Sequence, residues 1–277
     1  RILAKEFISN TDKNEFIYSS VTDLVKQVGN KNLSSLEVVK AYIDKIEQVN
    51  YQLNAVVMES FDRALEEAKK ADVMRSKGNS TGKLHGIPMT IKDSFMTKGV
   101  VSTGGTIGKM NYIPTEDATV VARLREQGAI LLGKTNTPEF TLIGGVLGVN
   151  STNNIIYGIS KNPYDLNRTT SGSSGGAGAI VAAGGSPFDI GTDWGGSVRG
   201  PSDTNGISGL KPTSVRFPRT GHIVGYGGLF DSWQQPGPMA RYVKDLDYLT
   251  PIMAGPDFKD AAVVPMPWPD YKEVDLS

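Results

Sequence analysis

The chain has 277 residues, of which 39% are hydrophobic, and 29 Lys plus Arg balance 29 Asp plus Glu. That is enough apolar material for one large core or two small ones, and no global field recruits nucleic acid or an anionic membrane. With no cysteine and only two histidines, His85 and His222, disulfides, thiol nucleophiles and His-rich metal sites are excluded. No apolar run reaches the about 18 residues that cross a bilayer, and the opening RILAKEFISNTDKNEF lacks the apolar region of a signal peptide, so a soluble, cytoplasmic chain is expected.

In chain order, the first clear element is a helix over 34–50. Ser34 and Glu37 form a capping box, and Leu36, Val39, Ile43 and Ile46 follow on one face. A second helical pattern covers 60–75, where Phe61, Ala64, Leu65, Ala68 and Ala71 recur at three and four. These give residues 1–80 the character of an N-terminal helical layer. The first strand is IPMTI at 87–91. A helix over 117–127 then ends at Gly128 and leads into the apolar strand AILLG at 129–133. A further helix is expected over 175–184 and an apolar strand over 187–191, all within a core spanning 81–250. The class is α/β, with a mixed or parallel, mostly buried sheet flanked by helices. From Pro251 onward the proline-rich, charged run to Ser277 reads as an extended surface tail.

Chemistry concentrates in the glycine- and serine-rich stretch from Ser171 to Pro201, where Ser173 and Ser197 each stand beside glycines. Glycine lets backbone approach another group closely. Ser197 follows Gly195 and Gly196 after the strand-like FDIGTD, a place where a hydroxyl and converging N–H groups can meet a reacting carbonyl. The bland alternative is a tight turn with Ser197 as a helix N-cap. A serine nucleophile needs a base. His85, His222 and Lys92, at the end of IPMTI, all remain open for that role, and Lys92 could equally pair with Asp93. No G-x-x-x-x-G-K-[ST] occurs and no G-x-G-x-x-G follows a strand, which argues against nucleotide binding.

Five blocks in order carry a resemblance: GIPMTIKDSF at 86–95, DATVVARLREQGAILLGKTNTPEF at 117–140, NPYDLNRTTSGSSGG at 162–176, GTDWGGSVRGP at 191–201 and GLKPT at 209–213. Together they resemble the amidase signature family, in the branch of fatty acid amide hydrolases and bacterial amidases. The resemblance implies an α/β/α sandwich around a mixed sheet and hydrolysis of amides, sometimes esters, by a Ser-cisSer-Lys triad. By position, Lys92 matches the base, Ser173 the cis bridging serine and Ser197 the acylated nucleophile. The backbone N–H groups of Trp194, Gly195, Gly196 and Ser197 match the oxyanion hole, and Thr192, Asp193 and Arg199 match supporting positions. Phe140, Thr141 and Leu142 resemble substrate-lining positions. The implied reaction needs no metal and no organic cofactor, and its partner is a small-molecule amide.

The chain departs from the family pattern at four places: Ser171 replaces a usual glycine, Trp194 fills a slot commonly held by a smaller residue, Gly200 stands where an apolar residue is typical, and SDTNGISGLKP at 202–212 lacks the apolar and cysteine residues often found there. Family members also continue past this length. The expectation is an N-terminal, motif-bearing part of one amidase domain over 1–277, whose tail over 251–277 leads to a C-terminal half, a second chain or a homodimer partner at an exposed sheet edge. Two other functions stay open: a glutamine amidotransferase subunit, which the aromatic run VGYGGLFDSWQQPGPMAR at 224–241 does not favour, and a catalytically silent, amidase-like interaction module.

Overall fold

The computed structural model describes residues 15–142, 151–225 and 233–268. Most of the aromatic run at 224–241 that precedes its strand, residues 226–232, lies outside this set, as does the tail beyond residue 268.

Seven α-helices are described: α1 Val21–Gly29, α2 Ser35–Leu53, α3 Phe61–Ser76, α4 Thr119–Glu126, α5 Gly175–Ala182, α6 Arg199–Thr204 and α7 Val243–Met253. The α2 start follows the predicted box: the Glu37 amide donates to Ser34 Oγ at 3.0 Å and the Ser34 amide to Glu37 Oε2 at 2.8 Å. Val39, Ile43 and Ile46 are buried as expected, while Leu36 is only partly covered. Helix α1 was not foreseen. Its apolar stripe of Val21, Leu24 and Val28 is buried, but nine residues give the helical period little length in which to stand out.

The strands are β1 Val56–Glu59, β2 Pro88–Lys92, β3 Ile130–Thr135, β4 Asn153–Asn154, β5 Gly158–Ile159, β6 Lys161–Asn162, β7 Asp165–Thr169, β8 Phe188–Asp193, β9 Ser208–Gly209 and β10 Gln235–Ala240. Two three-stranded sheets form the centre, in the orders β1-β3-β2 and β8-β10-β9, and two short ribbons pair β4 with β5 and β6 with β7. Strands β2 and β3 run parallel and the other central pairs antiparallel, so the sheet structure is mixed. Every residue of β2, β3, β8 and β10 is buried, as expected for a sheet covered by helices. Strand β2 packs directly beside β8, so the C-terminal ends of these two strands lie together.

Strand β10 escaped the sequence reading because it is QPGPMA, with two prolines in a strand flanked on both sides. The geometry accommodates them. The Pro238 carbonyl accepts from the Leu210 amide, so position 238, and with it 236, faces the β9 side. In an antiparallel strand a residue's N–H and C=O point the same way. The missing proline N–H groups therefore leave the ladder to β8 intact and face β9, which is only two residues long.

The tail is better anchored than its composition suggests. Helix α7 continues through Pro251 to Met253. Beyond it, Arg123 donates to the carbonyls of Met253, Ala254, Gly255 and Pro256, and Asp257 accepts from Thr119 Oγ1 at 2.6 Å. Asp260 holds Arg219 in a buried ion pair at 2.8 Å, with the two side chains 1% and 4% exposed. Removing one partner of such a pair leaves a charge buried without compensation. Asp260→Ala should therefore destabilise the protein by about 3 kcal/mol, seen as a clear fall in the thermal midpoint. Glu66→Ala, which breaks the exposed Lys69–Glu66 pair, should leave the midpoint nearly unchanged because solvent screens such a pair.

Candidate active site

Strand β2 delivers Lys92 at its C-terminal end, β8 delivers Thr192, and the loop into α5 delivers Ser173 and Ser174. Lys92 is fully buried. Its Nζ lies 2.6 Å from Ser173 Oγ, 2.9 Å from Ser174 Oγ and 2.9 Å from Thr192 Oγ1. An ammonium would donate to all three, whereas a neutral amine donates twice and accepts once, from a hydroxyl. The cage of hydroxyls can therefore serve either protonation state. Burial pushes the Lys92 pKa down to about 7, against the opposing pull of Asp193 and Asp189. The Gly172–Ser173 peptide bond is cis.

Ser197 joins this cluster through its backbone, its carbonyl accepting from the Ser174 amide at 3.2 Å. Its side chain is half-buried, and among the described residues its Oγ makes no hydrogen bond to Ser173 or Lys92. The helix after it is capped at Val198, so Ser197 is not the N-cap that the bland reading allowed.

Asp193 organises the loop. Its carboxylate accepts from the amides of Gly196 at 2.8 Å, Val198 at 3.0 Å and Arg199 at 3.2 Å, and from the Arg199 guanidinium at 2.9 and 3.1 Å. Burial alone would raise its pKa, but these donors, Arg199 foremost, hold it down to about 2. One expectation changes as a result. The Gly196 N–H, expected in the oxyanion hole, is turned onto Asp193, with Gly196 at φ +114°. The Gly195 and Ser197 amides donate to nothing among the described residues. Among the described residues, a Cβ at Gly195 or Gly196 would meet nothing within 4 Å. Trp194 stands exposed there, its ring 6.0 Å from that of Trp233.

The competing bases separate by geometry. His85 accepts from the Thr81 amide and contacts the Ala71 carbonyl. His222 bridges Ser94 Oγ and Gln234 Nε2, and burial, reinforced by the charge of Lys92, pushes its pKa down to about 3. Neither touches Ser173 or Ser197. Asp93 turns away from Lys92 and accepts from Thr103 Oγ1 at 2.5 Å, so the Lys92–Asp93 ion pair does not form. Phe140 and Thr141 sit in a turn at φ +49° and +60°, with Phe140 and Leu142 exposed. No hydrogen bond, ion pair or ring contact among the described residues links them to the Lys92 cluster. No group of three or more His, Asp or Glu side chains among the described residues could hold a metal ion, and no described helix is long and apolar enough to cross a membrane.

Sequence reading passed over Ser174, the second serine of the pair, although it contacts Lys92 as Ser173 does. It also passed over Asp189, although an acidic residue inside the buried strand FDIGTD was a visible signal.

The Amidase family profile matches residues 37–276. The chain belongs to the amidase signature family. Among its relatives, a glutamyl-tRNA(Gln) amidotransferase subunit from Moorella thermoacetica is 39% identical over 93% of this chain and 51% of its own length. Fatty-acid amide hydrolase 2-B of Danio rerio is 40% identical over 88% of this chain and 46% of its own. Among solved structures, native peptide amidase from Stenotrophomonas maltophilia superposes with a TM-score of 0.85 at 33% identity, over 92% of this chain and 52% of that one. The chain thus spans about half the length of these relatives.

Two of its departures from the family pattern are neighbours. Ser171 adopts φ +58°, a region that favours glycine, and its backbone is held by hydrogen bonds with Thr152, Thr169 and Thr170. A Cβ at Gly200 would lie 3.0 Å from Ser171 Oγ. The serine occupies space that an apolar residue at 200 would need. Gly200→Val should therefore destabilise the protein by about 1–3 kcal/mol through overpacking, and Ser171→Gly in the same chain should restore most of the loss. Chemical denaturation of the two single variants and the double variant measures the coupling.

Proposed function

We propose that this chain carries the catalytic centre of an amide hydrolase, with Ser197 as nucleophile, Ser173 as proton relay and Lys92 as base. The observation that carries this reading is the 2.6 Å contact between Lys92 Nζ and Ser173 Oγ inside a buried cage of hydroxyls. A lysine held near neutrality can take a proton at physiological pH. As Ser197 Oγ bonds to the amide carbon, its proton passes to Ser173 Oγ while the Ser173 proton moves to Lys92 Nζ. The negative oxygen forms beside the Gly195 and Ser197 amides. When the C–N bond breaks, the same path returns the proton to the leaving nitrogen, and water then hydrolyses the acyl-enzyme. Thr192 and Ser174 keep Nζ in place, and the Asp193–Arg199 pair keeps the loop in shape. The substrate is a small-molecule amide in a soluble compartment, and whatever completes the fold supplies much of the pocket, with Phe140, Thr141 and Leu142 on its near side.

A second reading, a glutamine amidotransferase subunit, is supported by relatives of that name at 39% identity. It predicts glutaminase activity only when partner subunits are added. A silent module predicts a folded protein that turns over nothing.

These readings separate in a screen over acyl-chain length and leaving amine. Hydrolysis should occur without added amidotransferase partner subunits and vanish in Ser197→Ala. Lys92→Ala should lose at least about 100-fold in rate at neutral pH with the fold intact, and Ser173→Ala should slow acylation strongly. Because the neutral amine is the active form, the wild-type rate should rise with pH through about 7. Near-wild-type turnover in Lys92→Ala would reject the proposal.

A further inference from the structure

Asp189 lies inside β8 and is fully buried. Its Oδ2 accepts from Thr90 Oγ1 at 2.7 Å and from Thr135 Oγ1 at 3.0 Å, while Oδ1 is buried with no hydrogen-bond partner among the described residues. A buried carboxyl group with one oxygen unmatched is costly unless something nearby uses its charge. Both tethers come from the immediate surroundings of Lys92. Thr90 is two residues earlier on the same face of β2, and Thr135 is the residue of β3 in register with Lys92.

Lys92 shows the complementary anomaly. All three of its contacts are to neutral hydroxyls, and no carboxylate touches it. Once it accepts a proton, the new ammonium must be balanced from a distance or suffer the full penalty of burial. The charged and titratable groups around it are Asp189 and Asp193 of β8, His222 of the loop preceding β10 and Asp93, the residue that follows it. Asp193 is bound by the Arg199 guanidinium, His222 is held neutral by burial, and Asp93 faces Thr103. Among the described residues, Asp189 has no cation in contact. Its other charged neighbour is Lys134 of β3, also buried, which is occupied with the Phe95 carbonyl, Thr97 and Ser102.

We propose that Asp189 is a positioning residue for the proton relay: its carboxylate, slung between Thr90 and Thr135, balances the ammonium that Lys92 becomes when it takes a proton from Ser173. The role rests on the reading of Lys92 as base. Burial raises the Asp189 pKa to about 7, close to that of Lys92, so the two titrate as a coupled pair. Removing the carboxylate withdraws the attraction that favours the ammonium. The neutral amine then persists to lower pH and becomes a weaker base.

The test reads the rate of inactivation by a fluorophosphonate probe against pH, in the full native chain. Asp189→Asn keeps the shape and an acceptor for the two threonines. It should move the acidic midpoint down by about one pH unit and lower the high-pH plateau about tenfold. Thr135→Val removes one tether, makes the carboxylate harder to ionise and should shift the midpoint in the same direction by a smaller step. A purely structural role would lower the plateau and leave the midpoint in place, and an unmoved midpoint in either folded variant overturns the proposal. Lys92→Ala is the reference. If it reacts at the wild-type rate, the relay reading itself fails; if it is inert while Asp189→Asn keeps the wild-type midpoint, only the role of Asp189 is rejected.

Discussion

An amine sealed away from water, with hydroxyls rather than carboxylates against it, is the constraint around which this chain is organised. A lysine on a surface stays charged at neutral pH and cannot act as a base. Lys92 is buried at a strand end and held by Ser173, Ser174 and Thr192, so its pKa falls to about 7, where the neutral amine that the proposed relay needs is populated. The cage requires β2 and β8 to end side by side. It also requires the loop before α5 to come close to β8, and a Cβ at Gly191 would lie 2.6 Å from Ser174 Oγ. The fold thus shapes this cluster through close approach of backbone as much as through its side chains.

Around that amine the remaining charges are kept apart by assigning each a separate partner. Asp193 takes Arg199 and three loop amides, Asp93 takes Thr103, and Lys134 takes a carbonyl and two hydroxyls. Three buried carboxyl groups, those of Asp93, Asp189 and Asp193, sit on or beside β2 and β8, yet among the described residues none forms a direct ion pair with Lys92. An ion pair would fix its charge and remove its capacity to change state.

Much of this was legible in the sequence because its signals are local. The capping box at Ser34 and Glu37, the helix ending at Gly128 and the order of the glycine-serine blocks each occupy a short window, and α2, α4, β2, β3, α5 and β8 follow within a few residues of expectation. What escaped depends on partners distant in the chain. Strand β10 reads as a breaker because QPGPMA carries two prolines, and only the short β9 on their side makes them harmless. The engagement of the Gly196 amide with Asp193 depends on a loop closing on itself, which spacing does not encode. The exchange between Ser171 and Gly200 joins positions far apart in sequence. Neither residue alone signals the other.

The central claim is that one serine of this cluster attacks while another only passes its proton. The most direct measurement is peptide mapping by mass spectrometry after reaction of the native chain with a fluorophosphonate. A single phosphonyl adduct is expected on the peptide bearing Ser197 and none on that bearing Ser173 and Ser174. An adduct on Ser173, or none on a folded protein, would contradict it.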